Sequence, residues 1–129
     1  MSQAASRTRS VVLLAEDDEP TRRILARELG KYCDVVAVED GQAGVVAARA
    51  QRFDVVVTDF SMPGLDGIAM TQAVRRLPGM EAIPVVLLTS STDKHVDLDA
   101  LRLGARSILH KPISLTALGD IVRRALARA

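Results

Sequence analysis

Cysteine occurs once in 129 residues, so the chain holds no internal disulfide. Two histidines beside that one thiol are too few for a Cys/His zinc site to be built easily. An excess of either charge is also missing, since 17 Lys and Arg balance 16 Asp and Glu to a formal +1. A field that weak argues for neither nucleic acid nor an anionic membrane as partner. Long apolar runs are absent too. The first one, Val11 to Ala15, is too short for a signal-peptide core and meets acids at once. No run approaches a membrane span. These absences fit a chain of the reducing cytoplasm.

What is present is ordinary globular composition, 48% apolar and 26% charged. A chain of this length makes one domain and buries roughly 68% of the surface it exposes when unfolded. Residues 1–9 are polar, with Arg7 and Arg9, and read as a flexible tail. Residues 10–129 then form the domain, with no linker and no low-complexity tract.

Short β-branched runs alternate with longer amphipathic stretches. The runs are Val11 to Leu14, Asp34 to Val38, Val55 to Thr58, Val85 to Thr89 and Ser107 to His110. Three are continuously apolar, as strands buried on both faces require. Between them lie five helical patterns. Pro20 suits a first helical position, and Ile24, Leu25 and Leu29 follow before Gly30. Gly41 to Ala50 makes the second helix. Asp66 caps a third that runs to about Leu77, ahead of Pro78-Gly79. Asp93 caps a fourth that ends at Gly104. Ser114 caps a fifth, whose stripe is Leu115, Leu118, Ile121, Val122 and Leu126. Five βα units in series predict an α/β fold, a parallel sheet with helices on both faces.

Sites in such sheets lie at the carboxyl ends of the strands. There the first strand meets Glu16-Asp17-Asp18, the third meets Asp59, the fourth ends on Thr89-Ser90 and the fifth meets Lys111-Pro112. Crowded carboxylates repel, and a divalent cation relieves them. Magnesium takes oxygen ligands, commonly one or two carboxylates with waters and a phosphate. A phosphoryl group would then find Lys111 and the Thr89 hydroxyl beside it, and phosphoryl transfer needs little beyond such positioning. Asp59 stands alone at its strand end and is the better nucleophile; the acids after the first strand are better metal holders. Singly, each has a plainer reading, and Asp18 before Glu19-Pro20 reads as a helix cap. Four of them at four strand ends make the functional reading the stronger one.

With those residues in view, the chain resembles the receiver domain of two-component response regulators, of the stand-alone chemotaxis-regulator type. The resemblance runs from about Val11 to Ala127. It rests on Leu14-Ala15-Glu16-Asp17-Asp18, on Val57 to Gly67 with its Asp-x-x-Met-Pro-x-x-Asp-Gly pattern, on Pro84 to Thr89, and on His110-Lys111-Pro112. It implies a flavodoxin-like, doubly wound (βα)5 sheet in the order 2-1-3-4-5. It implies Asp59 as phosphoacceptor. Mg2+ (or Mn2+) would be held by Asp17, by Glu16 through water, by Asp59 and by the Ser61 backbone carbonyl. Thr89 and Lys111 would bind the phosphoryl group, before a peptide that is often cis at Pro112. The donor would be a sensor histidine kinase or a histidine phosphotransfer protein. The output would be a downstream protein, or a second copy of the chain, on the face of the fourth helix, fifth strand and fifth helix.

One position departs from the family. An aromatic is usual three residues before the lysine, and here it is Ile108, which is stiff at χ1. Output coupling is then expected to weaken or to run another way. Ser61 and Ser91 stand where side chains touch the attacking water, and neither carries an amide or carboxylate to orient it. Slow to moderate self-dephosphorylation is the expectation.

Other conspicuous residues have plain readings. His110 reads as exposed or half-buried, His95 as solvated, and Cys33 as a small packing residue. Arg123, Arg124 and Arg128 complement the dipole of the last helix. Gly64 and Gly67 serve a loop and a helix entry, because no Walker-type spacing exists. Two competing functions are a non-phosphorylated docking module and an aspartyl-nucleophile phosphatase. The full set Glu16, Asp17, Asp59, Thr89 and Lys111 argues against the first. The second wants another acid two residues after the nucleophile, where Ser61 stands. The expectation is a phosphoacceptor switch or relay intermediate, not an enzyme in the ordinary sense.

Overall fold

Valine-rich runs make strands because branched side chains pack well on a pleated surface with neighbours on both sides. The computed structural model describes residues 9–90 and 96–127. Its elements are β1 Val11–Ala15, α1 Glu19–Leu29, β2 Asp34–Val38, α2 Gly41–Ala50, β3 Val55–Asp59, α3 Gly67–Arg75, β4 Val85–Thr89, α4 Val96–Leu103, β5 Ser107–His110 and α5 Leu115–Ala127. The strands form one sheet in the order β2-β1-β3-β4-β5, and every pairing is parallel. This is the expected flavodoxin-like order. The three continuously apolar strands, β1, β3 and β4, hold the centre and are buried throughout. The edge strands β2 and β5 are partly exposed.

Strand alternation sorts the core into two layers. Leu13, Val56 and Leu87 pack with Ala48 of α2, Met70 and Val74 of α3, and Ala100 and Leu103 of α4. Leu14, Val57 and Leu88 pack with Leu25 and Leu29 of α1 and with Leu118 and Val122 of α5. Each such fully buried Leu or Val contributes about 1.5–3 kcal/mol of transfer free energy. Both faces of the sheet are thereby clamped, and the loops at its carboxyl edge start from fixed points.

Three caps fall where the sequence places them. Asp18 accepts from the Thr21 N–H at 3.1 Å, Asp66 from Ala69 at 2.8 Å, and the Ser114 hydroxyl from Ala117 at 3.1 Å. Asp40 also caps α2, through the Ala43 N–H. Two details differ from expectation. Helix α3 ends at Arg75 and not near Leu77, because the Arg76 and Leu77 N–H groups bond three residues back in a tighter final turn. Ile24 is 53% exposed, since Leu25 and Leu29 take the positions that face the sheet. Arg9, at the end of the expected tail, donates to the Gly30 carbonyl at 2.9 Å. The rest of that tail, Asp93, His95, Ser91 and Arg128 lie outside the described residues. Among the described residues no helix is long and apolar enough to cross a membrane.

Candidate functional site

Register brings four strand ends level. Ala15 pairs with Thr58, Asp59 with Leu88, and Thr89 with His110. Glu16, Asp59, Thr89 and Lys111 therefore leave the sheet at one edge, where strand order reverses between β1 and β3. Three of them are sequestered: Glu16 is 0% exposed, Asp59 2% and Thr89 1%.

The lysine joins the acids. Lys111 Nζ lies 2.8 Å from Asp59 Oδ1 and 3.2 Å from Glu16 Oε1. Glu16 is held from three further sides. Its Oε2 accepts the Asp18 N–H at 3.0 Å, its carbonyl accepts Arg22 Nη1 at 2.9 Å, and its N–H donates to the Val38 carbonyl at 3.1 Å. The Lys111 N–H donates to the Thr89 carbonyl at 2.7 Å, which ties the lysine to the end of β4. The Lys111-Pro112 peptide is cis, as the resemblance implied.

Electrostatics follow from burial. Burial raises the Asp59 carboxyl to about 8, Glu16 beside it adds to the rise, and Lys111 opposes it. Burial alone would lower the Lys111 ammonium, but Asp59 and Glu16 outweigh it and its pKa is raised. One oxygen each of Glu16, Asp17 and Asp59 lies within 4.8 Å of the others. Among the described residues, Asp59 Oδ2 and Thr89 Oγ1 are buried without a hydrogen-bond partner. Hard oxygen donors this close, one of them exposed on Asp17, suit a small divalent cation. A buried hydroxyl and an unpaired carboxylate oxygen suit an arriving group with oxygens of its own.

Glu16, Asp17, Asp59, Ser61, Thr89 and Lys111 lie at this edge or next to it, and Ile108 lies back from it, opposite Leu87. Ser61 lines a small cleft with Asp59, Leu88, Ser90 and Lys111. Ile108 is half-buried and packs on the α3/α4 side of the core. His110 is exposed. Cys33 is buried, donates to the Leu29 carbonyl at 3.3 Å, and burial pushes its thiol up. Arg123 does more than complement a dipole: it pairs with Asp120 at 2.7 Å and lies 4.4 Å above the Tyr32 ring.

One contribution went unseen in the sequence, that of Arg22, and one, that of Gly67, was seen only as a helix entry. Arg22 steadies the acid loop from one turn inside α1, and its place four residues after the cap Asp18 is a signal for that. Gly67 lets α3 start against β3: its N–H donates to the Phe60 carbonyl at 3.0 Å, and a Cβ there would lie 2.0 Å from the Asp59 carbonyl oxygen.

Comparison with known proteins gives one answer. Residues 12–123 match the family described as the response regulator receiver domain. Over 113 residues the chain is 34% identical to hybrid signal transduction histidine kinase D of Dictyostelium discoideum, covering 88% of this chain and 7% of that one. Over 109 residues it is 32% identical to the probable chemotaxis protein CheY of Rhizobium etli, covering 81% of this chain and 84% of that one. Among solved structures, chemotaxis protein CheY4 of Vibrio cholerae matches with a TM-score of 0.84 at 27% identity, over 92% of this chain and 100% of that one. The chain thus spans most of one small relative and a small part of a large one. The family match takes in all five strands and all four strand ends that carry the acids, the hydroxyl and the lysine, and the chain belongs to the response regulator receiver domains.

Proposed function

We propose that Asp59 accepts a phosphoryl group from a phosphohistidine on a sensor histidine kinase or a histidine phosphotransfer protein. The observation that carries this reading is the state of Asp59: buried, facing Lys111 with one oxygen, and leaving the other without a hydrogen-bond partner among the described residues. A carboxylate oxygen attacks phosphorus, the P–N bond to the donor imidazole breaks, and the electron pair leaves on that nitrogen. Lys111 neutralises charge on the phosphoryl oxygens, and the Thr89 hydroxyl donates to one of them. Asp17, Asp59 and the Ser61 carbonyl would hold magnesium (or manganese), with Glu16 acting through water. What a bound metal would supply is positive charge against that of the acids and the phosphoryl group. Water later hydrolyses the acyl phosphate and restores Asp59. Ser61 and Ser91 give that water no strong orienting group.

The phosphoryl group biases a two-state equilibrium, so the chain acts as a switch or a relay intermediate. An apolar groove beside Lys111, lined by Ile24, Leu25, Pro112, Ile113 and Leu115, is the seat proposed for the donor protein. The face of α4, β5 and α5 carries the output to a target or a second copy. Exposed Leu98 and Leu101 on α4 support that assignment.

The test is intact-protein mass after incubation with a small acyl phosphate and magnesium. Wild type gains one phosphoryl group; Asp59→Asn gains none, and chelation abolishes the gain. Equal labelling of wild type and Asp59→Asn would overturn the assignment.

A further inference from the structure

Arg75 ends α3, yet among the described residues its side-chain hydrogen bonds reach outside that helix, to the end of α4 and to the approach to β4. Nη1 donates to the carbonyl of Leu103, the last residue of α4. Nη2 and Nε both donate to the Ile83 carbonyl, at 2.9 and 3.3 Å, just ahead of β4. The guanidinium is partly buried among these groups, and burial lowers its pKa.

Helix α4 needs such a partner at that end. The last four carbonyls of any helix lack partners inside it. Here the Ala105 N–H serves the Ala100 carbonyl at 3.0 Å, and the Gly104 N–H serves the Leu101 carbonyl at 3.1 Å. Gly104, at φ +72°, makes that reversal possible. The Arg102 and Leu103 carbonyls remain; Arg102 is exposed, and Arg75 takes the Leu103 carbonyl with a cation, which also suits the negative end of the helix dipole. The α4 side chains add little anchorage elsewhere. Only Ala100 and Leu103 are buried, and both lie in its second half, while Asp97, Leu98, Leu101 and Arg102 are exposed.

We propose that Arg75 is a positioning residue that anchors the carboxyl end of α4, so that the phosphorylated state reorganises α4 from its amino end while its last turn stays in place. This rests on the phosphoacceptor reading given above. It supplies a lever arm in a chain whose β5 carries Ile108. A helix held at one end converts a small change near Thr89 into a tilt of its exposed residues. The same α3 begins at Gly67 against the Asp59 carbonyl, so the anchor and the acceptor share one rigid element.

Residue-resolved amide exchange and chemical shifts of the full chain test this, with and without a small acyl phosphate plus magnesium. Without donor, Arg75→Ala should speed exchange at Gly104 and Ala105 by about tenfold, the effect of losing a hydrogen bond to a charged group. Leu118 and Val122 in α5 should stay within about twofold of wild type. Should Arg75→Ala fail to fold, Arg75→Lys decides: its single ammonium serves one carbonyl less well than the fork, and Gly104 and Ala105 should exchange measurably faster. On phosphorylation of wild type, shifts should move at Val96 to Asp99 and hold still at Gly104 and Ala105. In phosphorylated Arg75→Ala both ends should move, which a merely structural arginine would not produce. Unchanged exchange at Gly104 and Ala105 in the variants, or equal phosphorylation shifts at both ends of wild-type α4, would overturn the proposal. A wild type that takes no phosphoryl group defeats the phosphoacceptor reading instead, and the donor-free exchange arm still decides the anchor.

Discussion

Lys111 and Asp59 meet at 2.8 Å across the carboxyl edge of the sheet, one from just beyond β5 and the other from the end of β3. The same ammonium lies 3.2 Å from Glu16. Before any phosphoryl group arrives, Lys111 therefore serves two buried carboxylates. Replacing it removes that shared partner. Lys111→Ala should destabilise the metal-free protein by about 3 kcal/mol at pH 8.5, the usual loss when one member of a buried pair is deleted. The loss should shrink near pH 5.5, where Asp59 takes up a proton instead. Urea unfolding at the two pH values checks this.

Stability of the metal-free protein should itself fall with pH. Asp59 titrates near 8 when folded, well above the usual 3.8. Between those values the folded state binds the extra proton, so the stabilisation it brings is complete below about pH 4 and is lost as pH rises through about 8. Asp59→Asn should remove this component and unfold later than wild type at pH 8.5. Magnesium titration at pH 7 should release a proton, seen as a binding enthalpy that depends on the ionisation enthalpy of the buffer.

Gly67→Ala should damage the site as well as the fold. Its Cβ would stand 2.0 Å from the Asp59 carbonyl oxygen, and backbone on both sides must shift. A cost of about 1–3 kcal/mol is expected for that overpacking. Because the displaced atom belongs to Asp59, magnesium affinity should weaken as well. Gly30→Ala is the control, since its Cβ would crowd the Ala26 carbonyl, at 3.1 Å, and not Asp59. It should leave metal affinity unchanged in a calorimetric titration.

The backbone plan was legible because two periods dominate the sequence. Val55 to Val57 and Val85 to Leu88 read as buried strands and are buried. Asp18, Asp66 and Ser114 read as caps because each precedes a helical pattern, and each accepts the expected N–H. Glu16, Asp59, Thr89 and Lys111 were legible for a related reason: a residue just past a parallel strand must leave at the carboxyl edge. Long side chains were not legible in the same way. The reach of Arg22 to Glu16, and of Arg75 to Leu103 and Ile83, depends on where helices settle on the sheet. Ile24 fits helical spacing, but a helix on a sheet buries only a stripe, and Leu25 and Leu29 fill it. Gly67 reads as a helix entry, and only the approach of α3 to β3 explains why no side chain fits there.

The most direct test of the account is chemical trapping of the phosphorylated residue. An acyl phosphate is reduced by borohydride to an alcohol, which turns a phosphorylated aspartate into homoserine. After treatment with a small acyl phosphate and magnesium, then borohydride and proteolysis, peptide mass spectrometry should find homoserine at position 59 and at no other acid. Conversion at Asp17, or a mass gain on the intact protein with Asp59 left unreduced, would contradict the assignment of Asp59 as the phosphoacceptor.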